Sequence, residues 1–152
     1  MNSILTKAWD DVLSPMIQRP KRRQVAALCY RKRKGRKEVL LVTTRGTGRW
    51  MLPKGWPMQG KTAPEAARIE AWEEAGVRPA KVGRRAVGAF DYLKIDDGGL
   101  AHPCSATVYP IKVADVASEF PEAGQRKRKW VRMERAAEMV QEPGLQDLLR
   151  AF

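Results

Sequence analysis

The sequence predicts an α/β fold in which helices cover both faces of a mixed β-sheet, as an α/β/α sandwich. Strand-like apolar segments recur at residues 25–31, 39–44, 50–52, 85–95, 104–113 and 130–133. Turn-forming residues separate these segments, as between the strands of a sheet. Helical patterns occupy residues 63–75, 135–140 and 145–152, the last two as one broken helix or as two. At 152 residues the chain is long enough for one domain with a substantial core.

Residues 1–18 carry a separate amphipathic pattern ahead of the first strand. Apolar residues recur there at helical spacing, at Ile4, Leu5, Ala8, Val12, Leu13 and Met16, and Pro15 helps to end the pattern. We expect an N-terminal helical extension over residues 1–18 that packs on a main domain of residues 19–152. A dimer contact or a partner site is the alternative.

The helix at residues 63–75 has clear start and stop signals. Thr62 followed by Glu65 is a capping-box pattern, and Pro64 falls in the first turn, where its missing N–H costs nothing. Gly76 suits the left-handed residue that ends a helix. The preceding residues 52–57, Leu-Pro-Lys-Gly-Trp-Pro, predict a strand end and a tight loop.

Three carboxylates share one face of this helix, because Glu70, Glu73 and Glu74 lie at i, i+3 and i+4. None of them has a cation three or four residues away inside the helix. Like charges at such spacings cost about 0.2–0.5 kcal/mol per pair. A hard divalent cation would reverse this cost, because it takes carboxylate oxygens as ligands. The pattern therefore predicts a metal-binding face.

Residues 55–77, GWPMQGKTAPEAARIEAWEEAGV, resemble the Nudix box, which reads G-x5-E-x7-R-E-U-x-E-E-x-G-U with U aliphatic. Gly55 opens the box, and the second half is in register at Glu70, Ala71, Glu73, Glu74, Gly76 and Val77. Lys61 stands where the box has Glu, and Ile69 stands where it has Arg. If those two positions pair in other members, losing both leaves no orphan charge. Shorter segments resemble the diphosphoinositol polyphosphate phosphohydrolase branch, at residues 21–23, 27–31, 38–42, 49–53, 88–90 and 129–130.

The resemblance implies a Nudix fold, and a metal-dependent hydrolase that cleaves a diphosphate linkage. In the family the matching positions hold Mg²⁺ or Mn²⁺, which here would be the carboxylates of Glu70, Glu73 and Glu74 with the backbone carbonyl of Gly55. One glutamate would act as general base towards water. We favour Glu74, with Glu70 as the alternative.

The chain is strongly basic, with a formal net charge of +12 from 29 basic and 17 acidic residues. Such a surface attracts polyanions. Two groups of cations are our candidates to bind substrate phosphates, because point and forked donors both suit phosphate oxygens. Lys21, Arg22 and Arg23 lead into the first strand, and the second group flanks the strand that enters the box, at Arg45, Arg49 and Lys54. The basic run at residues 31–37 is interpreted as a solvated hairpin loop.

The substrate stays open between several polyanions. The branch resemblance implies a diphosphoinositol polyphosphate or a dinucleoside polyphosphate. A basic pocket would equally suit a nucleoside triphosphate or an RNA 5′-triphosphate end, and Trp56 could stack on a base or simply pack. A non-catalytic module that binds a phospholigand is a further hypothesis, supported by Lys61 and Ile69. Nucleic acid binding through the basic clusters is less favoured, because no RNA-recognition motif is present.

The remaining residues indicate a cytoplasmic protein. No apolar run approaches the about 20 residues that span a bilayer, and the N-terminus lacks the pattern of a signal peptide.

Cys29 and Cys104 fall in apolar strand-like segments, which favours two buried reduced thiols. We interpret His102, the only histidine, as a surface or strand-start residue, with a catalytic base as the alternative. Glu119 and Glu122 are interpreted as surface acids, with a late metal ligand as the alternative.

Overall fold

The computed structural model describes residues 20–152, so the predicted N-terminal extension lies outside the described residues. These residues form seven strands and three helices. In chain order they are β1 (Arg22–Arg33), β2 (Arg36–Thr43), β3 (Trp50–Met51), β4 (Lys54–Gly55), α1 (Ala63–Ala75), β5 (Gly88–Ile95), β6 (Ala101–Lys112), β7 (Arg128–Arg132), α2 (Met133–Met139) and α3 (Pro143–Ala151).

The strands build one mixed sheet in the order β3-β2-β1-β6-β5, with β4 paired to β1 and β7 paired to β2. The pairing of β1 with β6 is parallel, and the other pairings are antiparallel. Helix α1 packs on one face, and α2 and α3 pack on the other. The predicted mixed sheet with helices on both faces is thereby confirmed.

Strand β1 is the centre of the core because both of its faces are covered. Its residues 24–29 are buried without interruption, as expected for a strand between two helical layers. Ala26 and Leu28 point towards α2 and α3, whereas Val25, Ala27 and Cys29 point towards α1. The alternation of a strand therefore supplies both halves of the core from one segment.

Local signals in the sequence placed α1 correctly. Glu65 N donates to Thr62 Oγ1 at 3.3 Å and Thr62 N donates to Glu65 Oε2 at 3.2 Å, so the capping box is formed. Gly76 ends the helix with φ 69°. The predicted loop at residues 52–57 was wrong in one detail, because the backbone of Lys54 and Gly55 pairs with β1 as a two-residue strand. The C-terminal pattern forms two helices.

Two smaller predictions can also be compared with the structure. Cys29 and Cys104 are buried and free, as predicted. His102 lies near the start of β6 and pairs with Asp96, its Nε2 lying 2.8 Å from Asp96 Oδ2.

Among residues 20–152, no helix combines the length and apolar character needed to cross a bilayer.

We expect Gly76→Ala to destabilise the fold more than Gly35→Ala. Both glycines have positive φ, 69° and 75°, so each alanine carries a similar backbone cost of about 1–2 kcal/mol. A Cβ on Gly76 would also lie 2.5 Å from Phe120 Cδ1, whereas a Cβ on Gly35 meets nothing within 4 Å. The overlap should add about 1–3 kcal/mol. Urea denaturation of both variants measures the difference, and equal losses would contradict this account.

Candidate active site

A cavity of about 280 Å³ opens beside α1, and both acidic and basic side chains line it; we call these two sets of residues the acidic wall and the basic wall. The acidic wall contains the three carboxylates of α1 and one later acid, at Glu70, Glu73, Glu74 and Glu122. The basic wall contains Arg45, Lys54, Lys94 and Arg126. The structure therefore brings all three predicted carboxylates and two of the predicted phosphate-binding cations to one place.

Gly55 lies against Glu70 at the bottom of the acidic wall. Strand β4 pairs with β1, Gly55 opposite Val25, and this pairing holds the backbone of Gly55 beside α1. A Cβ added at Gly55 would overlap the carboxyl group of Glu70, lying only 2.8 Å from its Oε2. Only glycine permits this approach of the backbone to the α1 carboxylates, and the role of the Gly55 carbonyl as a metal ligand stays a prediction.

Glu74 is the most enclosed of the three carboxyl groups, with only 4% of the residue exposed. Burial raises the pKa of Glu74, the charge of Arg126 opposes this rise, and the neighbouring Glu70 adds to it. Burial also raises the pKa of Glu70, but the hydrogen bond from Glu74 lowers it. Glu74 is therefore the member of the pair that holds a proton most firmly in the metal-free protein.

The donor set fits a hard divalent cation. Within residues 20–152, no three His, Cys, Asp or Glu side chains already form a cluster able to hold a metal ion. Mg²⁺ does not require one, because it keeps several waters and binds through one or two carboxylates plus substrate phosphates. Glu70 and Glu74 compete for one proton beside the Gly55 backbone, and an ion of opposite charge relieves that competition.

Arg126 joins the acidic wall to the rest of the domain. Its Nε and Nη2 each lie 3.1 Å from Glu122 Oε1, and its Nη1 donates to the backbone oxygen of Thr43 at 3.0 Å. Nη2 also lies 3.8 Å from Glu74 Oε1. The sequence interpretation did not assign Arg126 to the site. A spacing of four residues from Glu122 predicts an ion pair only on a helix, and residues 121–125 form turns, so the sequence carried no local signal for this pair.

A larger groove of about 770 Å³ continues from the cavity. The two share Thr44, Arg45, Lys54, Lys94 and Arg126, and the groove extends to Arg49 and Gln141. Lys54 Nζ lies 4.5 Å from the centre of the Tyr92 ring, and Lys94 Nζ lies 4.8 Å from that of Trp56. Burial lowers the pKa of Lys54, and the charge of Glu74 opposes that effect. An anion in the groove would meet several cations at once.

The six predicted phosphate-binding residues separate into two groups. Arg45, Arg49 and Lys54 line the groove, although Arg49 Nη1 is already 2.8 Å from Glu142 Oε1. The other three are exposed outside it: Lys21 pairs with Asp91, Arg22 lies at the start of β1, and Arg23 lines a separate cavity of about 220 Å³ beside the start of α1. Their roles towards a substrate stay predictions.

The fold and the acidic face agree with a known family. A family model described as NUDIX domain matches residues 20–152. The chain belongs to the Nudix family. This confirms the resemblance drawn from the box. Of the two departures from the Nudix box, Lys61 is exposed in the loop before α1, whereas Ile69 is half-buried on α1 directly before Glu70.

Relatives of this Nudix chain are similar at modest identity. Nudix hydrolase 21, chloroplastic, of Arabidopsis thaliana is 32% identical over 138 residues, which cover 86% of this chain and 66% of that protein. Diphosphoinositol polyphosphate phosphohydrolase 3-alpha of Homo sapiens is 29% identical over 124 residues, covering 79% and 70%. The chain spans about two thirds of the length of these curated relatives. The crystal structure of C. elegans Ap4A hydrolase superimposes with a TM-score of 0.61 at 21% identity, covering 86% of this chain and 95% of that one.

Without metal, we expect the free energy of unfolding to fall as the pH rises. Because burial raises the pKa of Glu74, the folded Nudix domain binds more protons than the unfolded chain above the ordinary glutamate pKa of about 4.3. This stabilisation is complete below that pH and is lost as the pH rises through the folded pKa. Chemical denaturation in chelator at several pH values measures it. Glu74→Gln should flatten the dependence, and the exposed Glu134→Gln should not. If the free energy of unfolding depended equally on pH in wild type and Glu74→Gln, the raised pKa of Glu74 would be refuted.

Proposed function

We propose that this chain is a metal-dependent hydrolase that cleaves a diphosphate linkage in a phosphate-rich small molecule. The observation that carries the proposal is the pair of carboxyl groups, Glu70 and Glu74, enclosed against the Gly55 backbone and opposite a basic wall. The acidic wall suits a divalent cation, and the basic wall suits phosphate oxygens. Membership of the Nudix family supports this reading of the two walls.

We propose that four residues hold Mg²⁺ or Mn²⁺, namely Gly55, Glu70, Glu73 and Glu74. When bound, such an ion polarises phosphoryl oxygens and lowers the pKa of a bound water. Glu74 is our candidate for the general base towards water, with Glu70 as the alternative. A base is most efficient when its pKa is near the working pH, and burial moves the pKa of Glu74 in that direction.

The basic wall positions the substrate. Arg45, Lys54 and Arg126 line the same cavity as the carboxylates, so phosphates bound there would meet these cations beside a metal ion held by the glutamates. Glu122 and the Thr43 carbonyl orient the guanidinium of Arg126 and hold it in place. Arg49 and Lys94 extend the positive charge into the larger groove. Phosphates beyond the reacting pair would bind there. Lys21, Arg22 and Arg23 are weaker candidates, because they lie outside this groove.

We favour a diphosphoinositol polyphosphate or a dinucleoside polyphosphate as substrate. The groove of about 770 Å³ beside the cavity leaves room for phosphates beyond the scissile linkage. The human relative is named for diphosphoinositol polyphosphate, and the C. elegans structure is named for Ap4A. Trp56, 40% exposed at the cavity, offers a ring on which a base could stack, so a nucleoside triphosphate or an RNA 5′ end is the alternative. The cytoplasmic location stays a prediction, since the Arabidopsis relative is named as chloroplastic.

Turnover of a substrate panel tests the proposal. The panel holds diphosphoinositol polyphosphates, dinucleoside polyphosphates, nucleoside triphosphates and triphosphorylated RNA, each with Mg²⁺, Mn²⁺ or chelator. We expect metal-dependent release of phosphate or nucleotide from one class. Glu74→Gln should lower kcat by about 10²–10⁴-fold, because it removes a proton acceptor and a metal ligand. Its stability should hold or rise, because the neutral amide removes a group whose charged form burial disfavours.

Glu134→Gln, exposed on α2, is the matched control for that loss. Wild-type turnover in both Glu73→Gln and Glu74→Gln would contradict the metal site. Absence of turnover throughout the panel, together with metal-independent binding of one member, would favour the non-catalytic module that Lys61 and Ile69 suggest.

We expect Gly55→Ala to lose activity, because its Cβ displaces the carboxyl group of Glu70. A displacement of about 1 Å at a reacting centre costs about 10²-fold in rate. Gly60→Ala is the control, since its φ of 76° strains an alanine but nothing lies within 4 Å of the added Cβ. That variant should lose about 1 kcal/mol of stability and keep its activity. Measuring kcat/KM and urea stability for both separates the two effects. An active Gly55→Ala would refute the close approach.

A further inference from the structure

The hairpin of β5 and β6 exposes an apolar strip on its outer face. Leu93 is 49% exposed and Ile95 is 59% exposed. The register sets Leu93 opposite Pro103 and Ile95 opposite Ala101, so the four side chains lie together on one face. We call these four residues the hairpin strip. Leu100, in the adjoining turn, is 54% exposed. Exposed apolar side chains that lie side by side make this strip a candidate interaction surface.

The strip lies on the face of the sheet where α1 packs. The opposite face of β5 is buried by Phe90 and Tyr92, which belong to the core under α2 and α3. On its own face, α1 covers β1, β2, β4 and β6. The outward residues of β5 stay exposed, from Ala89 to Ile95. The hairpin strip therefore lies on the same face of the sheet as α1, beside the strands that α1 covers.

The chain enters the described fold beside this strip. Lys21 Nζ lies 2.6 Å from Asp91 Oδ2, and Asp91 precedes Leu93 on the same face of β5. Strand β1 runs parallel to β6 with Arg22 opposite Cys104. The chain ahead of Arg22 therefore leaves the sheet at the end where Pro103 lies.

The length of the preceding chain is sufficient to reach the strip. The strip extends four residues beyond Asp91 along β5, about 13 Å at a strand rise of about 3.3 Å per residue. Five extended residues, from 16 to 21, can span about 17 Å. A segment that ends near residue 16 therefore reaches the whole strip without strain.

We propose that residues 4–16 of the same chain dock on the hairpin strip through their apolar side chains. The sequence places apolar residues there at helical spacing, with Leu5, Val12 and Leu13 among them. A tethered segment acts at an effective concentration in the millimolar range, which favours it over a second copy at ordinary protein concentrations. Leu93 and Ile95 also line the larger groove, so a segment docked here borders that groove.

Disulfide trapping in the full chain tests this docking. Leu13→Cys combined with Ile95→Cys should form an intramolecular disulfide under mild oxidation, read as a mobility shift on a non-reducing gel. The native Cys29 and Cys104 stay in place, because both are 0% exposed. The control combines Leu13→Cys with Arg135→Cys, since Arg135 is exposed on α2 across the sheet. We expect the first pair to react at least about tenfold faster than the control, because docking raises the local concentration of the thiols.

Two outcomes would overturn the proposal. Equal rates for the two pairs would show that the segment has no preference for the strip. A disulfide-linked dimer would show that a second copy covers it instead. Leu5→Cys with Leu93→Cys repeats the test at other positions, so failure of one variant to fold does not decide it. The inference stands apart from the proposed reaction, since no readout depends on turnover.

Discussion

The close seating of α1 on the central strand is the constraint on which the rest of the structure depends. Ala66, Ala67, Ala71 and Ala75 are fully buried, and their small side chains let the helix axis approach the sheet. Gly55 has no side chain on the facing strand, which completes the approach. The acidic face of α1 is thereby enclosed instead of solvated. Larger side chains at these positions would return Glu70 and Glu74 to water, and burial would no longer raise the pKa of either group.

Ion pairs and hydrogen bonds connect the acids of α1 to the loop that carries Arg126. On α1, Glu74 is buried and Glu70 and Glu73 are half-buried, and Arg126 lies beside Glu74 with Glu122 as its ion-pair partner. Glu122 N also donates to the backbone oxygen of Glu73 at 3.0 Å, so the loop that carries Arg126 is attached to the helix that carries the acids. Opposite charges at this distance cancel partly in the free protein. A metal ion and a polyanion together would replace that internal pairing, which suits a site for phosphate chemistry.

Much of the fold could be predicted because its signals are local. The capping box at Thr62 and the left-handed Gly76 mark both ends of α1 within one turn of the chain. The carboxylate spacing was equally local, so Glu70, Glu73 and Glu74 were predicted to share one face, whereas Glu122 was interpreted as a surface acid. The strand at Lys54 was missed because two residues carry no periodicity, and only pairing with a strand nearly thirty residues earlier defines it. Arg126 was missed because its position depends on Thr43 and Glu74, which are distant in sequence.

The sequence alone determined the acidic helix, its boundaries and its family, because helical spacing, capping and the box are properties of neighbouring residues. Only the tertiary structure decided which cations share the site. In the sequence, the six candidate phosphate-binding cations could not be told apart, because each is a positive charge next to a predicted strand. They are Lys21, Arg22, Arg23, Arg45, Arg49 and Lys54. The register of the sheet turns Lys21 towards Asp91 and leaves Arg45 and Lys54 facing the carboxylates. The charge of a residue follows from the sequence. Its position relative to the carboxylates depends on strand pairing between segments far apart in the chain.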